Sequence, residues 1–181
     1  SSKVRRQRRV WPTEPDSEVG CLSSQPQYEK TLAYIKLGAE GGARIAYGGK
    51  RPSDPRLAHG FFVEPTVFAW VTDDMRIARE EIFGPVVSIL RWSDEDDVLA
   101  RVNALDYGLT ASIWTHDLDR AHRLASRIEA GYIWINGAST HHVGVPFGGV
   151  KQSGLGREES IEELYACTQI KNVNVTLSAR G

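Results

Sequence analysis

The chain has 181 residues, 41% of them hydrophobic and 25% charged, with a formal net charge of −1. That length fits one ordinary domain or two small ones, and the composition excludes collagen-like, coiled-coil and wholly disordered chains. No apolar run approaches the roughly 18–20 residues of a membrane span. Two cysteines with no CxxC spacing make no disulfide scaffold. Such cysteine usage suits a reducing cytosol, and the first residues lack the apolar stretch of a secretory signal.

Five of the 22 basic residues, Lys3, Arg5, Arg6, Arg8 and Arg9, fall in the first nine positions, which leaves 17 against all 23 acidic residues. A mildly acidic body with a short basic arm argues against a nucleic-acid-binding domain. Residues 1–18 carry no periodic apolar pattern and, with Pro12 and Pro15, read as a disordered arm or loop. The plain reading of the Arg cluster is a solvated run, and contact with phosphate or RNA is the alternative.

Ser24 and Gln27 have capping-box spacing, Pro26 is tolerated in a first turn, and Tyr28, Leu32 and Ile35 recur at helical spacing. Gly41 and Gly42 stop that helix. A short strand is expected over Arg44–Tyr47, then a polar loop from Gly49 to Gly60. Phe61–Phe68 reads as a strand interrupted at Pro65, at an edge or bulge. A short helix over Met75–Glu81 and a strand over Val86–Trp92 follow. Ser93 is placed to cap the next helix, with four acidic residues at its positive end and Val98, Val102 and Leu105 as its stripe. Leu109–Trp114 is a strand. Leu118, Ala121, Leu124, Ala125 and Ile128 stripe another helix, and Tyr132–Asn136 is a strand again. This alternation predicts an α/β fold with a parallel sheet. A Gly-rich connection of functional length spans Gly137–Arg157. A helix over Glu158–Ala166 and an alternating strand over Gln169–Leu177 close the chain. That last strand is expected to pair at a sheet edge, on this chain or another subunit.

The glycines do not spell a phosphate loop. Gly154 and Gly156 lack the third glycine of a dinucleotide fingerprint, and Gly144, Gly149 and Lys151 miss the Walker spacing. They more simply let backbone pass close to a ligand or another segment. His141 and His142 are adjacent and share no ligand spacing with the other histidines, so no metal site is expected. As loop histidines they either line a pocket or face solvent. Neither Cys21 nor Cys167 has a base or cation cluster beside it to make a thiolate, and both read as structural. Glu80-Glu81-Ile82-Phe83-Gly84-Pro85 is the most distinctive string. It places a carboxylate two residues before an aromatic on a stiff turn, an acceptor for sugar hydroxyls beside a ring-packing face. A surface turn over a buried Phe is an equally good reading.

Taken together, EEIFGPV at Glu80–Val86, AGYIWIN at Ala130–Asn136 and PFGGVKQSGLGRE at Pro146–Glu158 resemble the NAD(P)-dependent aldehyde dehydrogenase superfamily, in its order and at its separations. GFFVEPTVF at Gly60–Phe68 and SQPQYEKTLAYI at Ser24–Ile35 also fit. The resemblance spans about residues 19–177, and residues 1–18 are expected to lie outside it. It implies a partial catalytic domain over residues 19–168 and an oligomerisation strand and tail over residues 169–181. Glu81 would accept hydrogen bonds from the nicotinamide ribose of NAD or NADP, and Phe83 would position the nicotinamide ring. His141, Val145 and Phe147 would line the pocket of an aldehyde substrate. The family's nucleophilic cysteine, its glutamate base and its oxyanion asparagine precede the matching stretch, as does its dinucleotide domain. No catalytic residue is therefore assigned here, and the isolated chain is expected to be inactive. The resemblance implies part of a cytoplasmic, homo-oligomeric oxidoreductase that turns an aldehyde into a carboxylic acid. The alternative is a short family member that acts without catalysis, as a binding or oligomerisation module.

Overall fold

A computed structural model describes residues 13–177. The basic arm expected over residues 1–18 lies largely outside them. The chain divides into two compact units, Ser1–Asp94 and Glu95–Gly181.

The first unit starts from helix α1, Gln25–Glu40, with Ser24 as its N-cap and Gly41 as its C-cap. Its buried residues are Thr31, Ile35 and Gly38, one stripe at i, i+4 and i+7. The expected stripe of Tyr28, Leu32 and Ile35 lies beside it, with only Ile35 shared. β1, Arg44–Tyr47, pairs antiparallel with β2, Thr66–Ala69, with a register shift between Ile45 and Tyr47. Helix α2, Arg76–Arg79, leads to β3, Val86–Ser88, which pairs parallel with β2. The strand expected over Phe61–Phe68 therefore starts only at Thr66 and is the middle strand, not an edge. Pro65 offers no N–H to a ladder, so pairing begins behind it, and the irregularity falls on β1 instead. Phe62 and Val63 are buried ahead of the strand, and Phe68 is fully buried in a core with Ile35, Val71, Ile77 and Ile82.

The second unit opens with α3, Glu95–Asn103, whose first turn holds Glu95, Asp96 and Asp97. These acids do more than face the helix's positive end. Arg120 and Arg123 both pair with Glu95, and Arg127 pairs with Asp96 at 2.9 Å. The pairs bring in α4, Leu118–Ala125, capped by the Asp117 side chain. Leu99 of α3 and Ala121 of α4 are buried, while the expected stripe residue Val102 is 40% exposed. β4, Tyr107–Gly108, pairs antiparallel with β7, Val150–Lys151. β5, Thr110–Ile113, pairs parallel with β6, Tyr132–Ile135. The α/β class and the parallel pairing match the expectation. The single sheet does not: β3 pairs with β2 in the first unit, and β5 with β6 in the second. The 86–92 segment read as an open member of a later sheet because alternation says nothing about partners.

Helix α5, Ile161–Ala166, has no buried residue. The expected strand over Gln169–Leu177 is absent: the segment is irregular, with Ile170, Val173, Val175 and Leu177 all exposed. A strand exists only when a neighbour completes its hydrogen bonds, and no strand among the described residues does so there. Cys21 and Cys167 are free and exposed, so neither has the packing role expected of it.

Candidate functional site

In the first unit the turn after α2 is held from two sides. Glu80 takes a bidentate pair from Arg76, Nε to Oε1 at 2.7 Å and Nη2 to Oε2 at 2.8 Å. The Tyr34 hydroxyl donates to the same carboxylate at 2.5 Å. The Arg76 bonds, then the Tyr34 bond, hold the Glu80 carboxyl down at about 2. The Glu80 contact pushes the Tyr34 phenol up. From the other side, Gln27 Nε2 donates to the carbonyls of Ile82 at 2.8 Å and Phe83 at 2.6 Å.

Those bonds fix an unusual backbone. Phe83 has φ +53, a region that costs a non-glycine residue free energy and persists only where its surroundings impose it. Ile82 points into the core, whereas Glu81 is exposed and Phe83 is 72% exposed. The reading of a surface turn over a buried Phe is thus excluded. Gly84 lets the turn lie against α1, because a Cβ there would strike the Thr31 side chain. The arrangement presents a carboxylate and an aromatic face side by side on a braced loop. Ser24 and Gln27 look like a capping box, but only half of one forms. Ser24 Oγ accepts from the Gln27 N–H at 3.4 Å, while the Gln27 side chain goes to the turn. Sequence reasoning missed Gln27, Tyr34 and Arg76 as braces. The only signal was a polar side chain on the helix face next to the buried stripe.

In the second unit, Tyr132 and Trp134 stand on one face of β6, two residues apart, with ring centroids 4.8 Å apart. His141 stacks on Tyr132 at 5.9 Å with 13° between planes, and Phe147 lies 4.5 Å from His141 and 5.6 Å from Tyr132. Trp134 Nε1 donates to the Thr140 carbonyl at 2.8 Å, pinning the loop to the strand. Phe147 and Glu158 form an antiparallel bridge, and the Gly144 N–H donates to the Glu159 carbonyl at 2.7 Å. His141 Nδ1 is 2.8 Å from Glu159 Oε1. Of the three expected pocket residues, His141 and Phe147 meet in one ring cluster. Val145 sits on the loop between them, 43% exposed. Tyr132, Trp134 and Glu159 were not anticipated, since the first two read as strand filler and the third as a helix start.

The glycines of this loop serve backbone approach to another segment. A Cβ on Gly131 would overlap the Gly148 carbonyl, so the start of β6 and the Gly-rich loop touch main chain to main chain. Among the described residues no group of three or more His, Cys, Asp or Glu side chains is placed to hold a metal ion. No helix among them is long and apolar enough to cross a membrane.

The family model of the aldehyde dehydrogenase family matches residues 2–173. The chain belongs to that family. The match begins at residue 2, so it includes the Arg-rich start that the motifs alone placed outside the resemblance. The chain is 49% identical to aldehyde dehydrogenase tropH of Talaromyces stipitatus, covering 91% of this chain and 33% of that protein. It is 51% identical to a betaine aldehyde dehydrogenase of Brucella melitensis, covering 92% of this chain and 34% of that protein. The aldehyde dehydrogenase of Mycobacterium tuberculosis, solved in complex with NAD+, superposes with a TM-score of 0.78 at 42% identity, over 84% of this chain and 32% of that one. The NAD+ complex of the Bacillus cereus enzyme gives 0.76 at 43% identity, over 82% and 30%. The chain thus spans about a third of the length of the aldehyde dehydrogenases it matches.

Proposed function

We propose that this chain is the part of an NAD(P)-dependent aldehyde dehydrogenase that clamps the nicotinamide half of the cofactor and lines the aldehyde pocket. The observation that carries the reading is the braced turn: Phe83, at φ +53 and 72% exposed, with Glu81 exposed two residues before it. A solvated aromatic ring on a strained backbone, held by two bonds from another element, suits a surface kept for a ligand. Glu81 would accept from the ribose hydroxyls, and Phe83 would offer its face to the nicotinamide ring. The oxidised nicotinamide, when bound, accepts a hydride from the substrate. The role of this chain's residues is to hold that ring in place, which is orientation rather than bond-making. His141, Val145 and Phe147 are assigned to the pocket wall.

Residues 19–168 are read as a partial catalytic domain and residues 169–181 as an oligomerisation segment. The exposed Ile170, Val173, Val175 and Leu177 support pairing with another subunit. The same exposure would serve a short member that acts only as an assembly module. A cytoplasmic location goes with the dehydrogenase reading. The test is NADH formation from NAD+ and an aldehyde by the full-length natural protein. Phe83→Ala and Glu81→Gln are expected to raise KM for NAD+ and lower kcat together. The 181-residue chain alone is expected to form no NADH. Unchanged kinetics in both variants would sink the clamp, and turnover by the chain alone would sink the division of labour.

A further inference from the structure

The Gly-rich loop carries a pair that the pocket reading does not use. Glu159 and His141 are 18 residues apart, yet Oε1 lies 2.8 Å from Nδ1. A carboxylate oxygen accepts, and two lone pairs do not share that distance, so the proton sits on Nδ1. Glu159 Oε2 is enclosed and has no hydrogen-bond partner among the described residues. This carboxylate therefore depends on the histidine proton. Its own backbone is held independently: the carbonyl takes the Gly144 N–H at 2.7 Å, the N–H donates to Glu163 Oε2 at 2.9 Å, and φ is +63. Glu159 is thus the fixed partner, and the histidine conforms to it.

The ring is also fixed in its other directions, by Tyr132 against one face and Phe147 4.5 Å away. With the Trp134 Nε1–H taken by the Thr140 carbonyl and Nδ1 by Glu159, the other edge of His141 is a polar group that the cluster leaves open. A neutral imidazole with its proton on Nδ1 carries a lone pair on Nε2. That nitrogen has no partner among the described residues, and 35% of the side chain is exposed. We propose that Glu159 is a specificity-determining positioning residue. It locks His141 as the Nδ1–H tautomer, so that the loop presents Nε2 as an acceptor to aldehydes that carry a hydroxyl or amino donor. This rests on the dehydrogenase reading, which alone makes the loop a substrate wall.

The tautomer is read by long-range nitrogen–proton correlation of the imidazole rings, with pH raised until the ring signals stop moving. His141 is expected to show a protonated Nδ1 and a bare Nε2. Glu159→Gln, whose amide oxygen still accepts, keeps that pattern, and Glu159→Leu releases the ring to the Nε2–H form that free imidazoles favour. A wild-type His141 already protonated on Nε2 overturns the proposal. On the full-length natural protein, kcat/KM is then compared for a hydroxylated aldehyde and the unsubstituted aldehyde of equal length. The ratio is expected to fall about tenfold in Glu159→Leu, the size of one hydrogen bond, and to be retained in Glu159→Gln. Activity without that shift sinks this inference alone. A full-length protein that oxidises no aldehyde sinks the dehydrogenase reading and the inference with it.

Discussion

The two candidate surfaces are braced in different ways. The Glu80–Pro85 turn stands on a core of its own unit: Ile82 is buried beneath it, Phe68 is fully buried nearby, and Gln27, Tyr34 and Arg76 hold it with directed bonds. The loop after β6 is held by ring contacts with β6, main-chain bridges and the bonds of Lys151 and Arg157 to backbone carbonyls, in a unit where few side chains are buried. Trp114 is 69% exposed there, Leu118 64%, and everything from Ile161 to Leu177 is exposed. A ligand-facing residue in a strained conformation needs a stiff support, which the first unit supplies from its own chain. The second unit leaves more of its large apolar side chains exposed than the first, and the proposed assembly role would draw on that exposure.

The comparison breaks most easily at the core. Phe68→Ala is expected to cost about 3–5 kcal/mol in denaturant unfolding, as for other buried aromatics. Hydrogen exchange should rise throughout β1–β3 and at the turn, with less change in β5 and β6. Equal loosening of both units would show that they do not differ as argued. Gly131→Ala tests the second unit. Its Cβ meets backbone rather than a flexible side chain, so about 1–3 kcal/mol is expected, with loosening of residues 144–151.

Gln27→Ala leaves two carbonyls without their donor, at about 1–3 kcal/mol for the pair given their partial exposure. Faster exchange should be confined to residues 82–86, and in the full-length protein KM for NAD+ should rise. Gln27→Glu, which keeps the shape but replaces the donor with oxygen, should be no better. Exchange unchanged at the turn would mean that Phe83 holds φ +53 without the glutamine.

The Glu80 cluster gives a pH signature. Its folded value of about 2 lies below the ordinary 4.5, so the folded state binds the proton less readily than the unfolded one. Its contribution is fully present above about 4.5 and is lost as pH falls toward about 2. The melting-temperature gap between wild type and Glu80→Gln should be constant at neutral pH and close across that window. A gap independent of pH would place the stabilisation elsewhere. The smallest effect is expected at the end of the chain. Truncation after Thr168 removes a tail whose described residues, Gln169–Leu177, are all exposed, so the melting temperature should not move. Sedimentation should shift to smaller species if the tail joins subunits.

Much of the local structure was legible. Ser24 and Gly41 bound α1 as their side chain and position require, and Arg44–Tyr47 and Tyr132–Ile135 are strands. Local rules misled where a residue had a more distant partner. Gln27 has the spacing of a cap but bonds a turn 55 residues away. Val86–Ser88 alternates like any strand, but its neighbour is Thr66–Phe68. Gln169–Leu177 has the pattern of a strand but pairs with no strand among the described residues.

By itself the sequence determined the family, the α/β class, the caps and the two strings that carry Glu81, Phe83 and Phe147. These depend on short-range spacing, on the backbone limits of glycine and proline, and on which side chains can do the chemistry. Tertiary structure alone decided which strands pair, that Phe83 stands in solvent at a positive φ, and that Glu159 reaches back to His141. Those outcomes depend on hydrogen-bond partners and buried contacts that are remote in the chain, and no local window contains them.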